Sequence, residues 1–385
     1  MNENIKFFST IKQEKKKRNL GIDIARILAI FFIINLHIIY HGGPLSNSKF
    51  LSADNNILLF FNTLFCSGVN IFGMISGFVG FSTHKFSNLF YLLIQTFFYN
   101  YGIAFYFKVT KKNIVTNLKK YIYPLFISDY WYFNAYFSLY FFLPLINSGI
   151  KSMEKREMGN FNLSIFLLFS CFNQTKNYSN TLRTDFFFLR NGFTYIWLII
   201  LYFYGSYFGR FNGNSHKYNK VIIFVICNTL IIILVIMRNK IIIYKIKKFN
   251  NDNGMKVEYT SPSCVIIAIC FIMIFSKLNI NSKLLSNIIS FFAPLTFGIY
   301  LLHNHELVRK YYIQNKYTWL LKYHSLNLIL IEMFESLKIF VYCSLVDYLR
   351  LLLFKLIKIR KISSLIDSLL NKTSNNILFL FELLF

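Results

Sequence analysis

Apolar runs follow one another along almost the whole chain, each set off by a short polar or basic stretch. In lipid, backbone groups are satisfied internally only by helices or by closed barrels. The period-two alternation of a membrane barrel is absent. The pattern therefore predicts an all-α polytopic membrane bundle of about ten transmembrane helices. The predicted spans are 21–40, 57–80, 88–108, 128–147, 161–173, 193–209, 219–237, 262–276, 285–303 and 326–347, the fifth being short. Beyond Arg350, apolar residues alternate with Lys355, Lys358, Arg360 and Lys361, the pattern of an interfacial amphipathic helix. The run at 376–385 is too short to cross. The expected organisation is a basic cytoplasmic tail over 1–20, a membrane domain over 21–350 and an amphipathic cytoplasmic tail over 351–385.

The first run departs from a lipid-facing pattern. It reads GIDIARILAIFFIINLHIIY from Gly21 to Tyr40 and carries Asp23, Arg26 and His37. Ionisable groups at membrane depth are costly and face a protein interior or a wet cavity. Arg26 and His37 are eleven positions apart, which at about 100° per residue returns to the same face, roughly 16 Å further along the axis. Asp23 lies on that stripe one turn before Arg26, and His41 one turn after His37. The bland account of Arg26 is an ion pair with Asp23; that of His37 is a satisfied buried histidine.

Composition narrows the class. Of 385 residues, 55% are hydrophobic, far more than a soluble chain of this length would expose in runs. The net charge of +26 invites a nucleic-acid reading, but no nucleic-acid module accompanies it. The basic residues fall between apolar runs, where they meet lipid headgroups. The six cysteines form no CxxC pair and read as packing residues. His37 and His41 have metal-ligand spacing, yet HExxH and a third ligand are missing, so no metal is expected. Six basic residues precede the first run and only Lys49 lies in the loop after it, which places the N-terminus inside. Summed over all the segments between spans the basic residues are nearly balanced, and the basic stretches 108–121 and 237–256 contradict a strict inside rule. The first run is too long for a signal peptide and ends in no cleavage site.

Three further stretches stand out: NIFGMISGFVGF (Asn70–Phe81), YWYFNAYFSLYFFLPLIN (Tyr130–Asn147) and FGIYLLHNHELVRK (Phe297–Lys310). With the GIDIAR context and the histidine that follows its arginine after ten intervening residues, the chain from Gly21 to Arg350 resembles the acyltransferase type 3 family of integral membrane acyltransferases. The Tyr130–Asn147 segment is most similar to the branch that O-acetylates capsules and exopolysaccharides. The resemblance implies transfer of an acyl group, usually acetyl from acetyl-CoA, to a carbohydrate hydroxyl, with Arg26 and His37 at the family's essential positions. The family often has two basic residues just after the second span. This chain keeps Lys85 there, preceded by His84, with Asn88 where a second base would stand.

The residues fit that chemistry. A hydroxyl attacking a thioester must lose its proton, and an imidazole suits the base; it can also carry the acyl group. The phosphates of an acyl-CoA need a cationic clamp, and Arg26 lies near the inner face. His37 and Arg26 are thus the candidate catalytic pair, supported by Asp23 and His41. Ser76, Gly77, Phe78 and Lys85, with Arg26, are candidates for the donor path, although a Ser-Gly-Phe triplet more often marks close helix packing. His303 and Glu306, spaced one turn apart, are candidates for the acceptor. Glu332, Glu335 and Lys338 are expected to neutralise one another, and Trp131 and Tyr132 to anchor a helix at the interface. The expected partners are a lipid bilayer, an acyl-CoA donor and a surface glycan acceptor, in the cell membrane with both termini cytoplasmic. An exporter of carbohydrate or lipid-linked sugar is the alternative, and an inactive assembly partner a third.

Overall fold

A computed structural model describes residues 18–81, 85–111, 114–115, 117–122, 130–172, 187–211, 220–249 and 258–384. Among these, all regular structure is helical. The helices are α1 (Leu20–His41), α2 (Ala53–Gly80), α3 (Phe86–Thr110), α4 (Trp131–Ser152), α5 (Lys155–Phe166), α6 (Tyr195–Phe211), α7 (Lys220–Phe249), α8 (Pro262–Ser276), α9 (Lys283–His303), α10 (Ser325–Leu356) and α11 (Ile359–Leu384). Helices thus stand at all ten predicted places. By length and composition four are apolar enough to cross a membrane, namely those containing α1, α2, α7 and α9. The others fall short for visible reasons: α8 has only 15 residues, and α10 carries Glu332, Glu335, Lys338, Asp347 and Arg350.

Local chemistry sets the boundaries. The Asn19 side chain accepts from the Ile22 amide at 3.1 Å, the usual N-cap contact. The same side chain donates to the Ser276 carbonyl at 2.9 Å, tying the start of α1 to the end of α8. Ser52 and Ser261 cap α2 and α8 in the same way. Pro294 cannot donate to its helix, and α9 tightens there into a 3-10 turn, Ala293–Leu295.

Two expectations are corrected. The stretch 237–256 is no basic loop as far as it is described: α7 stays helical through Phe249. Arg238 is buried and donates to Ser261 and Ser263, so its charge is spent inside the bundle rather than at a headgroup. Residues 250–257 lie outside the described residues, as do 1–17 and His84. The tenth helix runs nine residues past its predicted end, held by a buried Asp347–Arg350 pair.

Helix α1 forms the axis of the bundle and touches α2, α8, α9 and α10. Helices α2 and α6 run in the same direction at close range. A methyl group at Gly205 would overlap the Met74 carbonyl, and one at Gly77 the Tyr202 carbonyl. Small residues allow such backbone approach where apolar burial gives no drive between helices. The far end of α1 is pinned by Asn315, whose amide donates to the His41 carbonyl, and by Tyr317, whose amide donates to the Gly42 carbonyl, both at 3.0 Å. Asp54 at the start of α2 meets His324 at the start of α10, so α1 ends where α2 and α10 begin.

Candidate active site

The polar stripe of α1 does face the protein. Near the His41 end, His37 lies between two other imidazoles: its ring centroid is 5.3 Å from His41 and 5.1 Å from His303. His303, the last residue of α9, is buried and contacts the Ile299 carbonyl through Nδ1 at 2.6 Å. A carbonyl only accepts, so that nitrogen carries the proton and Nε2 presents a lone pair. Two buried nitrogens here have no hydrogen-bond partner, His37 Nδ1 and His303 Nε2. Buried polar atoms are otherwise almost always paired. Among the described residues no group of three or more His, Cys, Asp or Glu side chains is placed to hold a metal ion.

A cavity of about 280 Å³ adjoins these rings, walled by His37, His41, Trp131, Tyr259, Asn304 and Arg309, among others. A narrower crevice shares His37, Trp131, Tyr259 and Asn304 with it and runs past Ile30, Phe297 and Tyr132. Trp131 lies against Tyr259 with centroids 5.8 Å apart and planes at 21°, and meets Phe193 edge-on at 4.7 Å. Trp131 is therefore a cavity wall, not the interfacial anchor expected of it. A clamp behind it explains the difference. Asn70 on α2 donates to the Tyr259 carbonyl at 2.8 Å and accepts from Trp197 Nε1 at 3.0 Å. The 190–192 turn beside it holds Asn191 at φ 59°, a left-handed value uncommon outside glycine.

The Leu20 end of the stripe is a charge cluster. Asp23 is buried and paired with Arg18 at 2.5 Å and Arg26 at 3.1 Å. The ion pair expected as the bland account of Arg26 thus exists. It does not exhaust the side chain, a quarter of which stays exposed. Tyr132 and Tyr136 are electrostatic neighbours of Arg26. Tyr132 also lines the crevice, so one residue links the surroundings of Arg26 to those of His37.

The other candidates divide. Ser76 donates to the Phe72 carbonyl at 3.3 Å, and Phe72 both lines the crevice and meets Tyr132 edge-on at 5.6 Å. Gly77 and Phe78 face α6, where they meet Tyr202, Ser206 and Gly209. Lys85 is exposed at the start of α3, its backbone held from both sides by the Tyr140 hydroxyl. Glu306 does not pair with His303 on one helix: α9 ends at His303, the chain turns through Asn304 and His305, and Glu306 opens the next turn. Its carboxylate meets Lys120 at 2.9 Å and lines neither space. The triad on α10 is also broken up. Glu335 pairs with Lys338 at 2.6 Å, whereas buried Glu332 accepts from Ser336 at 3.0 Å. Sequence reasoning missed Tyr259, Asn304, Arg309 and the Asn70–Trp197 clamp. Arg309 and Asn304 stood inside the Phe297–Lys310 motif and Asn70 opened the Asn70–Phe81 motif, whereas Tyr259 and Trp197 lay in no singled-out stretch.

The profile described as an acyltransferase domain, of type 3, matches residues 19–345. The chain belongs to the acyltransferase type 3 family. That makes it a membrane acyltransferase, with α1 to most of α10 forming the family domain. No curated protein and no solved structure matches it.

Proposed function

We propose that this acyltransferase moves an acetyl group from acetyl-CoA to a hydroxyl of a surface polysaccharide or glycolipid. His37 is the base, and Arg26, oriented by Asp23, grips donor phosphate. The observation that carries the reading is the pair of neighbouring rings, His37 and His303, with centroids 5.1 Å apart and a buried nitrogen on each without a hydrogen-bond partner, beside a cavity large enough for a sugar. With its proton on Nδ1, His37 can donate a hydrogen bond to the lone pair on His303 Nε2. His37 Nε2 is then left to take the acceptor's hydroxyl proton, and His303 supports the imidazolium that forms. The alkoxide oxygen attacks the thioester carbonyl, the carbon–sulfur bond breaks, and the leaving thiolate takes that proton from His37. His303 in this scheme is a positioning residue, and Ser76 lines the donor path beside Tyr132.

In this reading the Leu20 end of α1 faces the cytoplasm, so that Arg26 lies toward the cytoplasm and His37 toward the outside. The rise of roughly 16 Å between them suits a long donor lying from phosphate to thioester. The test is mass spectrometry of surface glycan from cells with and without the protein. A gain of one acetyl unit per modified residue is expected. An unchanged glycan, with transport of sugar across vesicles holding the protein, overturns the reading in favour of an exporter.

A further inference from the structure

We propose that the cavity between the start of α7 and the end of α8 holds the headgroup phosphate of an anionic membrane phospholipid, gripped by Lys220 and Lys277. The site shares no wall with the His37 cavity, and it stands independently of the acyl-transfer chemistry.

The cavity measures about 260 Å³ and has two characters. Its apolar wall is Ile223 and Phe224 from α7 with Met273 and Ile274 from α8. Its cations are Lys220 at the start of α7 and Lys277 just past α8. Lys277 is an electrostatic neighbour of Cys227, so its charge lies close to α7. No carboxylate lines the cavity, and among the described residues neither ammonium forms an ion pair. A lysine at a helix C-terminus has an ordinary account, as a partner of the helix dipole. That covers Lys277 but not Lys220, which stands at the N-terminal end of its helix, where a cation gains nothing from the dipole. Two cations on one cavity repel, and an anion between them turns that repulsion into attraction.

The surroundings set the class of ligand. Of the four helices apolar enough to cross a membrane, α7 is the least buried. Beside the cavity it leaves Ile222, Val225 and Ile226 exposed, a face for acyl chains. An apolar wall next to a lipid-facing helix, joined to a pair of lysines, matches a molecule with acyl chains and an anionic head. A soluble phosphate compound has no use for the apolar wall, and an uncharged lipid none for the lysines. Lysine suits the task, because its stem lies along apolar surface while the ammonium reaches headgroup level.

The cavity is also tied to the start of α1. Asn19 donates to the carbonyl of Ser276, the residue before Lys277. Gly21 lies so close to α8 that a methyl group there would overlap the Phe275 carbonyl. Asp23 and Arg26 follow within two turns. A headgroup seated at Lys277 therefore steadies the base of the helix that carries the polar stripe.

The test is native mass spectrometry of the purified full chain, released from nanodiscs of equal parts phosphatidylglycerol and phosphatidylcholine with the same acyl chains. The wild type is expected to retain phosphatidylglycerol in preference to phosphatidylcholine. Lys220→Gln and Lys277→Gln should each lower that preference about fivefold, and the double variant about thirtyfold, as expected for basic residues at an anionic surface. Lys283→Gln removes an exposed lysine at the start of α9 that lines no part of the cavity, and should leave the preference unchanged. Inorganic phosphate and coenzyme A, added separately in excess, should not displace the lipid. Equal retention of the two lipids by the wild type overturns the proposal, and that result needs no variant to fold. An unchanged preference in the double variant does so too, as does an equal loss in Lys283→Gln, which would make the effect one of net charge. Displacement by phosphate or coenzyme A also overturns it and assigns the lysines to a soluble phosphate ligand. No acyl transfer is measured, so failure of the acyl-transfer reading would leave each of these outcomes as it is.

Discussion

The bundle holds two buried polar centres of opposite character. One is Asp347 with Arg350 on α10. Arg350 Nη2 meets Asp347 Oδ2 at 2.7 Å, the Tyr99 hydroxyl donates to Asp347 Oδ1 at 2.6 Å, and Arg350 Nη1 donates to the Tyr91 hydroxyl at 2.8 Å. Gly298 leaves the space the carboxylate fills, since a methyl group there would overlap it. The other is His37 with His303, where two ring nitrogens lack partners and a cavity begins. Charge alone does not separate them, for the first centre carries a full ion pair. Satisfaction does. A network with its donors and acceptors matched specifies the fold, while unmatched atoms beside an open space are available to a substrate.

This contrast is broken or sharpened by substitution at each centre. The largest expected effect is at His37. His37→Ala should lower acyl transfer by about 10²–10⁴-fold, the usual worth of a general base, while the protein still inserts and its unfolding temperature hardly moves. Full activity in purified His37→Ala protein would remove the assignment. The opposite profile is expected at Asp347. Asp347→Ala strands the buried Arg350 guanidinium, and breaking a buried pair typically costs about 3–5 kcal/mol. Thermal unfolding in detergent should show that loss, with turnover per folded molecule largely retained. A variant of normal stability and no turnover would mean that the two centres had been assigned the wrong way round.

The sequence made one centre legible and hid the other. Asp23, Arg26, His37 and His41 share a face of a single helix, so a period of 3.6 was enough to gather them. The ten helix positions followed from apolar runs for the same local reason. Asp347 and Arg350 were invisible as a unit because their partners Tyr91, Tyr99 and Gln95 lie about 250 positions away on α3. Trp131 read as an interfacial anchor because its neighbours Phe193 and Tyr259 are likewise distant in sequence. The basic stretch after 237 read as a loop because nothing local announces that Arg238 is received by Ser261 and Ser263. Glu306 read as a partner of His303 because a spacing of three presumes a helix that in fact ends at His303. Local periodicity carries the stripe; every error concerns a contact between helices or a helix end.

A smaller effect is expected at the Leu20 end of the stripe. Arg26→Lys keeps a charge that Asp23 can pair with but loses the planar fork that grips phosphate in two places. Acetyl-CoA affinity, measured by calorimetry, should fall by about tenfold, the equivalent of roughly 1.4 kcal/mol. Stability should change little, because an ammonium still answers the Asp23 carboxylate. Unchanged affinity with turnover lost would move Arg26 from donor binding to support of the reaction itself. Lost stability would class it with Arg350, as a structural cation.

The smallest effect is expected at Trp131, on the aromatic wall. Trp131→Phe keeps a ring on Tyr259 and Phe193 but shrinks the face turned to the cavity, so contact with a sugar ring weakens without opening the bundle. An aromatic contact is worth about 0.5–1.5 kcal/mol beyond its area, which corresponds to roughly a two- to tenfold rise in the acceptor KM. Turnover at saturating acceptor should stay near the wild-type value, because a wall that holds the ring in ground state and transition state alike affects KM and leaves kcat. That split separates Trp131 from His37, which should act on kcat, and from Asp347, which should act on stability. If kcat falls with kcat/KM by the same factor, Trp131 is aligning the acceptor hydroxyl on His37 rather than only holding the sugar. The aromatic wall and the imidazole pair would then form one unit, and the line between binding and chemistry would run between this cavity and the Asp347 centre alone.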